Sequence, residues 1–184
     1  MIYADKLIDI IKVLEEDGLV LMPTDTLWSI AISLKSNVGF ARLNNIVTSS
    51  YYPIVIVKDL VQIKRYIPRF HPRVETLMSV YERPLTIIKP NVGAIAGIMP
   101  NCNASKIGFH VTLDDFTKTI IDLLGNPLLV YKIPISHQAN GQSFADIPDS
   151  YLNAVSYVCK HRRSDVFEDG VSAGYDSEGN LIFE

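Results

Sequence analysis

Short apolar runs alternate along the chain with longer segments in which apolar residues recur every three or four positions. The short runs predict buried strands, and they cover residues 19–22, 28–34, 54–57, 84–88, 106–112 and 128–133. The longer segments predict helices, at residues 4–17, 37–46, 74–81, 114–124 and 149–159. Because strands and helices alternate, the pattern predicts an α/β sheet protein. No internal repeat or linker interrupts it, so residues 1–184 are predicted to form a single domain.

The first strand leads into a distinctive polar cluster. Pro23 ends this strand because a proline has no N–H for a sheet ladder, and Thr24, Asp25 and Thr26 follow it. Open α/β sheets bind their ligands at the carboxyl ends of strands, which makes the cluster a candidate site, with Trp28 as a pocket wall. The alternative is that these side chains only stabilise a turn through hydrogen bonds to the backbone.

Composition limits the classes of function. Hydrophobic residues make up 48 % and charged residues 20 % of the 184 positions, as in folded proteins. The net charge of −3 gives no general attraction to nucleic acid, so RNA would need a local basic patch. Residues 1–17 lack the apolar core of a signal peptide, and no run approaches the ~20 residues of a membrane span. With two distant cysteines, the chain is expected in a reduced, cytoplasmic setting away from membranes.

Residues 58–73 form a locally basic segment. The cations that could contact nucleic acid there are Lys64, Arg65, Arg69 and Arg73. They could neutralise the phosphates of an RNA duplex without reading its sequence, and the aromatic residues between them could stack on unpaired bases. The other interpretation is a solvated helix face whose aromatic rings turn to the core. The acidic net charge of the chain favours this second interpretation.

Several motifs are similar, in the same order, to those of the YrdC-like family. Residues 23–30 resemble its Pro-Thr-Asp-Thr-Val-Tyr-Gly-Leu sequence, with Trp28 in the place of the tyrosine and Ser29 in that of the glycine. Further similarities are those of residues 84–88 to its Pro-Gly-Pro-x-Thr strand, 107–111 to its Val-Gly-Val-Arg-Val strand, 125–129 to its Gly-x-Pro-Leu-x segment and 169–170 to its acidic-Gly turn.

The resemblance implies an α/β YrdC-like domain with a twisted, mixed, open sheet, flanking helices and a concave groove. The best-known members of this family make threonylcarbamoyl-adenylate from threonine, bicarbonate and ATP for tRNA modification. Their positively charged concave surface is associated with double-stranded RNA. The resemblance therefore implies that the groove of this chain is lined by Thr24, Thr26, Trp28 and Thr86, with His110 and Lys132 close to it.

The chain departs from the family where a triphosphate needs cations. No Lys or Arg occurs in residues 46–52, where the family has a Lys-x-Arg pair, and His110 replaces the family's strand Arg. This histidine is expected to be largely neutral near pH 7. Lys132 and the residues after it stand where the family has Ser-Ala-Asn. Each lost charge-assisted hydrogen bond costs about 1.5–3 kcal/mol, so we expect synthase activity to be lost or strongly reduced.

The first hypothesis is thus a diverged member of the family that binds a nucleotide or RNA in its groove, without an assigned catalytic residue. One alternative is an active synthase, using Mg²⁺ and ATP, whose phosphate contacts are rebuilt from Lys132, Arg83 or Arg65. Another is an interaction protein with a vestigial groove, filled by Tyr51, Tyr52 or Trp28. A metal site is not predicted, because the four histidines are scattered without ligand spacing. The sequence identifies no protein partner.

Overall fold

A computed structural model describes most of the chain. The described residues are 3–47, 52–67, 71–80, 82–90, 102, 104–133, 142–167, 173–176 and 178–183. The predictions for Arg69 and Tyr51, and the acidic-Gly resemblance at residues 169–170, lie outside these ranges.

The described part of the chain contains helices and strands in alternation. The helices are α1 (Leu7–Glu15), α2 (Asn37–Asn44), α3 (Leu60–Ile63), α4 (Pro72–Val80), α5 (Asp115–Leu124) and α6 (Asp149–Ala154). The strands are β1 (Val20–Pro23), β2 (Trp28–Ser33), β3 (Ile54–Val57), β4 (Leu85–Pro90), β5 (Lys106–Val111), β6 (Leu128–Lys132), β7 (Gln142–Ser143), β8 (Tyr157–Val158), β9 (Val166–Phe167), β10 (Ala173–Tyr175) and β11 (Leu181–Phe183). All six strands predicted from the apolar runs are present, with ends shifted by at most two residues.

The strands build a mixed sheet, as predicted. Its order is β11-β10-β4-β5-β3-β6-β2-β1-β8. The pairs β3–β5, β4–β10 and β1–β8 are parallel, and the remaining neighbours are antiparallel. A separate antiparallel ladder joins β7 to β9. The strands β1, β2 and β3 are buried along their whole length.

Local signals in the sequence explain where the helices begin and end. The Asp114 carboxylate accepts a hydrogen bond from the Thr117 N–H at 2.8 Å and caps α5. Gly125 ends α5 in the left-handed conformation, at φ 69°, which a glycine adopts without strain. For α2 the cap is Ser36, whose Oγ accepts from the Gly39 N–H at 2.7 Å, and Asn37 is the first helical residue.

The predicted helix over residues 149–159 is wrong in its second half. The helix α6 ends at Ala154, and Tyr157–Val158 instead form the edge strand β8 beside β1. The reason is tertiary: the N–H groups of Ser156 and Cys159 donate to the carbonyls of Leu19 and Leu21, at 2.8 Å in each case. No helix in the described part of the chain is long and apolar enough to cross a bilayer.

Candidate functional site

The register of the central strands gathers polar side chains on one face of the sheet. Thr86 on β4 lies beside His110 on β5, and His110 lies beside Ile56 on β3. On the other side of β3, Lys132 on β6 pairs with Ser29 on β2. Directly paired residues on neighbouring strands point to the same side of a sheet. Residues far apart in sequence therefore lie side by side on the same face of the sheet.

This face of the sheet contains a small recess next to the turn between β1 and β2. Its described lining consists of Thr24, Asp25, Thr26, Ser29, Ile54, Ile56, Thr86, His110, Val130 and Lys132. Five of the six predicted groove residues lie here together, although their role in binding stays a prediction. The recess has a volume of ≈ 10 Å³, about what one buried water needs. A ligand larger than that would have to rest on its mouth.

A buried ion pair between Asp25 and His110 dominates the recess. Oδ2 of Asp25 lies 2.8 Å from Nε2 of His110, and their side chains are 8 % and 4 % exposed. The other ring nitrogen, Nδ1, lies 2.8 Å from the carbonyl oxygen of Leu85. A carbonyl oxygen only accepts, so Nδ1 carries a hydrogen and donates it. Since Nε2 faces a carboxylate oxygen, one further proton lies between Nε2 and Oδ2.

The surroundings of Asp25 keep its carboxyl ionised. Burial raises the pKa of its carboxyl, but the charge of His110 and the hydrogen bonds from His110 and Leu113 outweigh burial, so the pKa lies below its ordinary value of 3.8. Asp25 is therefore ionised in neutral solution. The sequence could not show that both ring nitrogens of His110 face acceptors within the protein.

Two polar atoms at the recess lack a hydrogen-bond partner among the described residues. Oδ1 of Asp25 is buried and accepts no hydrogen bond. The ammonium of Lys132, which also lines the recess, makes no hydrogen bond to the described part of the chain. Burial lowers the pKa of Lys132 from its ordinary value of 10.5, and the nearby Asp25 carboxylate partly opposes this shift. An acceptor and a cation thus line the same recess without a hydrogen-bond partner among the described residues.

The hydroxyl of Thr24 stabilises the turn, in agreement with the turn interpretation. Its Oγ1 donates to the Leu27 carbonyl at 2.8 Å and accepts from the N–H groups of Thr26 and Leu27 at 3.3 and 3.2 Å. The turn nevertheless presents Asp25 and Thr26 to the recess. The same residues therefore stabilise the turn and line the candidate site.

Trp28 lies outside the recess. It is fully buried at 0 % exposure, packs against Phe144 with ring centroids 5.0 Å apart and is not part of the recess lining. Its backbone N–H donates to Oε1 of Gln142 at 2.8 Å. Successive residues of a strand point to opposite faces, so Ser29 rather than Trp28 faces the recess. Ser29 and Asp25 line the recess but were not among the predicted groove residues. The alternation of side chains along β2 indicates Ser29, and a position between two threonines of the turn indicates Asp25.

The described cations of the basic segment do not line the recess. Lys64 forms an exposed ion pair with Glu75, and Arg73 is exposed on α4. Arg65 lines a separate surface groove beside α3 and the end of α5. The helix α3 is a single turn, so these cations do not share one continuous helical face. Their predicted contact with nucleic acid stays a prediction.

Comparisons with known proteins agree with this architecture. The family model for Sua5, YciO and YrdC proteins, described as telomere recombination, matches residues 12–177. No curated protein matches the chain by sequence. E. coli YciO has the same fold with a TM-score of 0.71 and 12 % identity, over 97 % of this chain and 90 % of its own.

Two further solved structures contain the fold within longer chains. P. abyssi Sua5 complexed with L-threonine gives a TM-score of 0.66 and 15 % identity, over 92 % of this chain and 50 % of its own. Full-length HypF in the phosphate- and nucleotide-bound form gives 0.73 and 12 %, over 96 % and 23 %. This chain thus spans about half the length of that Sua5. Because the family model matches most of its sequence, the chain belongs to the Sua5/YciO/YrdC family.

Proposed function

We propose that this domain binds a phosphate-bearing ligand, a nucleotide or RNA, on the recess face, and that it has lost most or all threonylcarbamoyl-adenylate synthase activity. One observation carries the proposal: in the described lining, Lys132 is the one cation without an internal partner. A single lysine can attract a phosphate. It does not provide the set of cations that adenylate formation from ATP requires.

His110 cannot replace the arginine that the family has on this strand. An arginine presents five N–H donors in a planar fork and can grip a phosphate with two of them. Both nitrogens of His110 already serve the Asp25 carboxylate and the Leu85 carbonyl. A phosphate approaching the recess would therefore gain little from it.

Mg²⁺ would have to arrive with the nucleotide. Magnesium prefers oxygen ligands, and Asp25 supplies the one carboxylate of the described lining. The charges of His110 and Lys132 flank this carboxylate and disfavour a free cation there. Mg-ATP would contact Lys132 through its phosphates, at the mouth of a recess too small to admit it. The relation to HypF in a nucleotide-bound form supports a nucleotide as the ligand.

Calorimetric titration with Mg-ATP, with and without threonine and bicarbonate, tests the proposal together with an assay of pyrophosphate release. We expect measurable binding without release of pyrophosphate. Release at a rate typical of an enzyme would contradict the loss of activity and favour the active synthase. Duplex RNA is titrated over a salt series, since phosphate contacts weaken with added salt.

The interaction protein with a vestigial groove remains a second candidate because the recess is narrow. Next to it, a Cβ added to Gly108 would lie 3.2 Å from the ring of Tyr52, so this ring covers part of the same face. Failure of both Mg-ATP and RNA to bind would favour this candidate.

A further inference from the structure

Two loops meet at the recess, and their relative position determines whether Asp25 is in contact with His110. The first is the turn between β1 and β2, which carries Asp25. The second follows β5, and its Leu113 N–H donates to Oδ2 of Asp25 at 2.9 Å. The same oxygen receives the His110 hydrogen bond. A displacement of either loop would therefore change the contact between Asp25 and His110.

Arg162, from a distant part of the chain, joins both loops. Its Nη1 donates to the Thr24 carbonyl at 3.2 Å and lies 3.8 Å from Oδ1 of Asp114. Its Nε donates to Oδ2 of Asp165 at 2.7 Å, and its guanidinium lies 4.5 Å from the centroid of the Phe167 ring. The side chain is 28 % exposed. The guanidinium is thus fixed from several sides while it contacts the residue before Asp25.

The backbone of Arg162 shows that its surroundings determine its conformation. Its φ is 56°, in the left-handed region that residues with a side chain seldom adopt. Such a conformation persists where neighbouring contacts hold it in place. Here the contacts with Asp165 and Phe167 hold the side chain toward the turn.

We propose that Arg162 is a positioning residue of the recess: it holds the Thr24 carbonyl and Asp114 together, and so keeps Asp25 in contact with His110. As long as that contact persists, Nε2 of His110 is occupied by Asp25 and Lys132 is the cation that a ligand meets. The effect of Arg162 on ligand affinity rests on the proposed binding of a phosphate-bearing ligand. Its effect on His110 does not.

Arg163 is a matched control. It too donates to backbone carbonyls, from Nε to Cys159 at 2.7 Å and from Nη2 to Val158 at 3.1 Å. It too lies over an aromatic ring, that of Phe144, at 4.3 Å from the centroid. None of these contacts involves the two loops. Arg162→Gln and Arg163→Gln therefore remove the same charge, and only the first releases the turn.

The test records the side-chain NMR signals of His110 at pH 7 in the full chain, with Asp25→Asn as the reference for a broken pair. We expect Arg162→Gln to move the Nε2 signal toward that of Asp25→Asn, while Arg163→Gln leaves it at the wild-type position. Mg-ATP is then titrated by calorimetry. We expect Arg162→Gln to lower the affinity of the protein for Mg-ATP about tenfold, as the loss of one charge-assisted contact would.

An unchanged His110 signal in Arg162→Gln would overturn the proposal, and so would equal shifts in both glutamine variants. If the wild type binds neither Mg-ATP nor duplex RNA, the proposed function fails, while the His110 signals still decide the role of Arg162. Should Arg162→Gln not fold, Asp165→Asn removes one partner of the guanidinium and is measured in its place. A smaller shift in the same direction is expected from it, and no shift counts against the proposal.

Discussion

The carboxylate of Asp25 and the imidazole of His110 are 85 positions apart in the chain and form one buried unit, with Oδ2 2.8 Å from Nε2. Asp25 belongs to the motif turn after β1, and His110 lies on β5, where the family resemblance leads one to expect an arginine. The pair therefore ties the most family-like part of the chain to a position at which it has diverged. At this position on β5 the side chain is engaged by hydrogen bonds within the protein.

Replacement of Asp25 by Asn is expected to destabilise the fold by about 3 kcal/mol at neutral pH, because it breaks a buried ion pair. The folded-state pKa of Asp25 lies below its ordinary value of 3.8. Its stabilisation is therefore complete above that value and is lost as the pH falls through the lower folded pKa. Urea unfolding of wild type and Asp25→Asn between pH 7 and pH 2 measures this, and we expect the difference to shrink below pH 3.8.

Asp115→Asn is the control for this experiment, since Asp115 is exposed and lies 3.8 Å from the Lys118 ammonium. Exposed pairs contribute at most about 1 kcal/mol. A difference between wild type and Asp25→Asn that stays constant down to pH 2 would show that the carboxylate does not carry the stabilisation.

A side chain at Gly108 is expected to disturb the recess face. A Cβ built there would lie 3.0 Å from Cγ2 of Thr86, 3.1 Å from Cγ1 of Ile54 and 3.2 Å from the ring of Tyr52. Gly108→Ala should therefore destabilise the protein by about 1–2 kcal/mol through overpacking. Equilibrium unfolding in urea measures the effect. Unchanged or increased stability would mean that the three neighbours move aside without cost.

Local patterns were sufficient for much of the fold. The apolar, β-branched run at residues 54–57 predicted β3 with its observed bounds, because a buried strand needs little beyond such a run. The helix α5 was predicted because Asp114 and Gly125 mark its two ends. By contrast, β8 was not predicted. Its two residues form a strand only because the carbonyls of Leu19 and Leu21 lie beside that part of the chain.

The motifs and the order of the strands were sufficient to predict which residues meet at the candidate site. The threonines of the turn, Thr86 and His110 could be brought together from the resemblance alone. Their hydrogen bonds could not, since the Leu85 carbonyl that fixes the His110 ring has no signal in the sequence. Nor does the sequence signal the contact between Trp28 and Gln142, which is 114 positions away and accepts a hydrogen bond from the Trp28 backbone N–H.

Trp28→Phe is expected to change the free energy of unfolding by less than about 1 kcal/mol, because two effects oppose each other. The indole Nε1 is buried without a hydrogen-bond partner in the described part of the chain, so its removal relieves a desolvation cost. The smaller ring leaves a void in the core. Trp28→Ala, measured alongside by circular dichroism in urea, should cost about 3–5 kcal/mol. A large loss from Trp28→Phe would indicate that Nε1 donates to residues beyond the described ranges.

Lys132→Met separates ligand binding from stability. The Lys132 ammonium is penalised by burial, so its folded-state pKa lies below the ordinary value of 10.5. In neutral solution the folded protein bears this cost, and it disappears as the pH rises through the folded pKa toward 10.5. We expect Lys132→Met to be at least as stable as wild type at pH 7, with wild type gaining relative to it at alkaline pH. Its affinity for Mg-ATP should fall about tenfold.

The matched control is Lys106→Met, which removes the same charge from the exposed start of β5, outside the recess lining. Calorimetry with Mg-ATP and urea unfolding between pH 7 and pH 10 are carried out on both variants. Equal losses of affinity would assign the binding to general surface charge, because Lys106 and Lys132 have only their charge in common. A loss confined to Lys132→Met, without a loss of stability, is the expected result for an ammonium that is kept in the recess for a ligand at a cost to the fold.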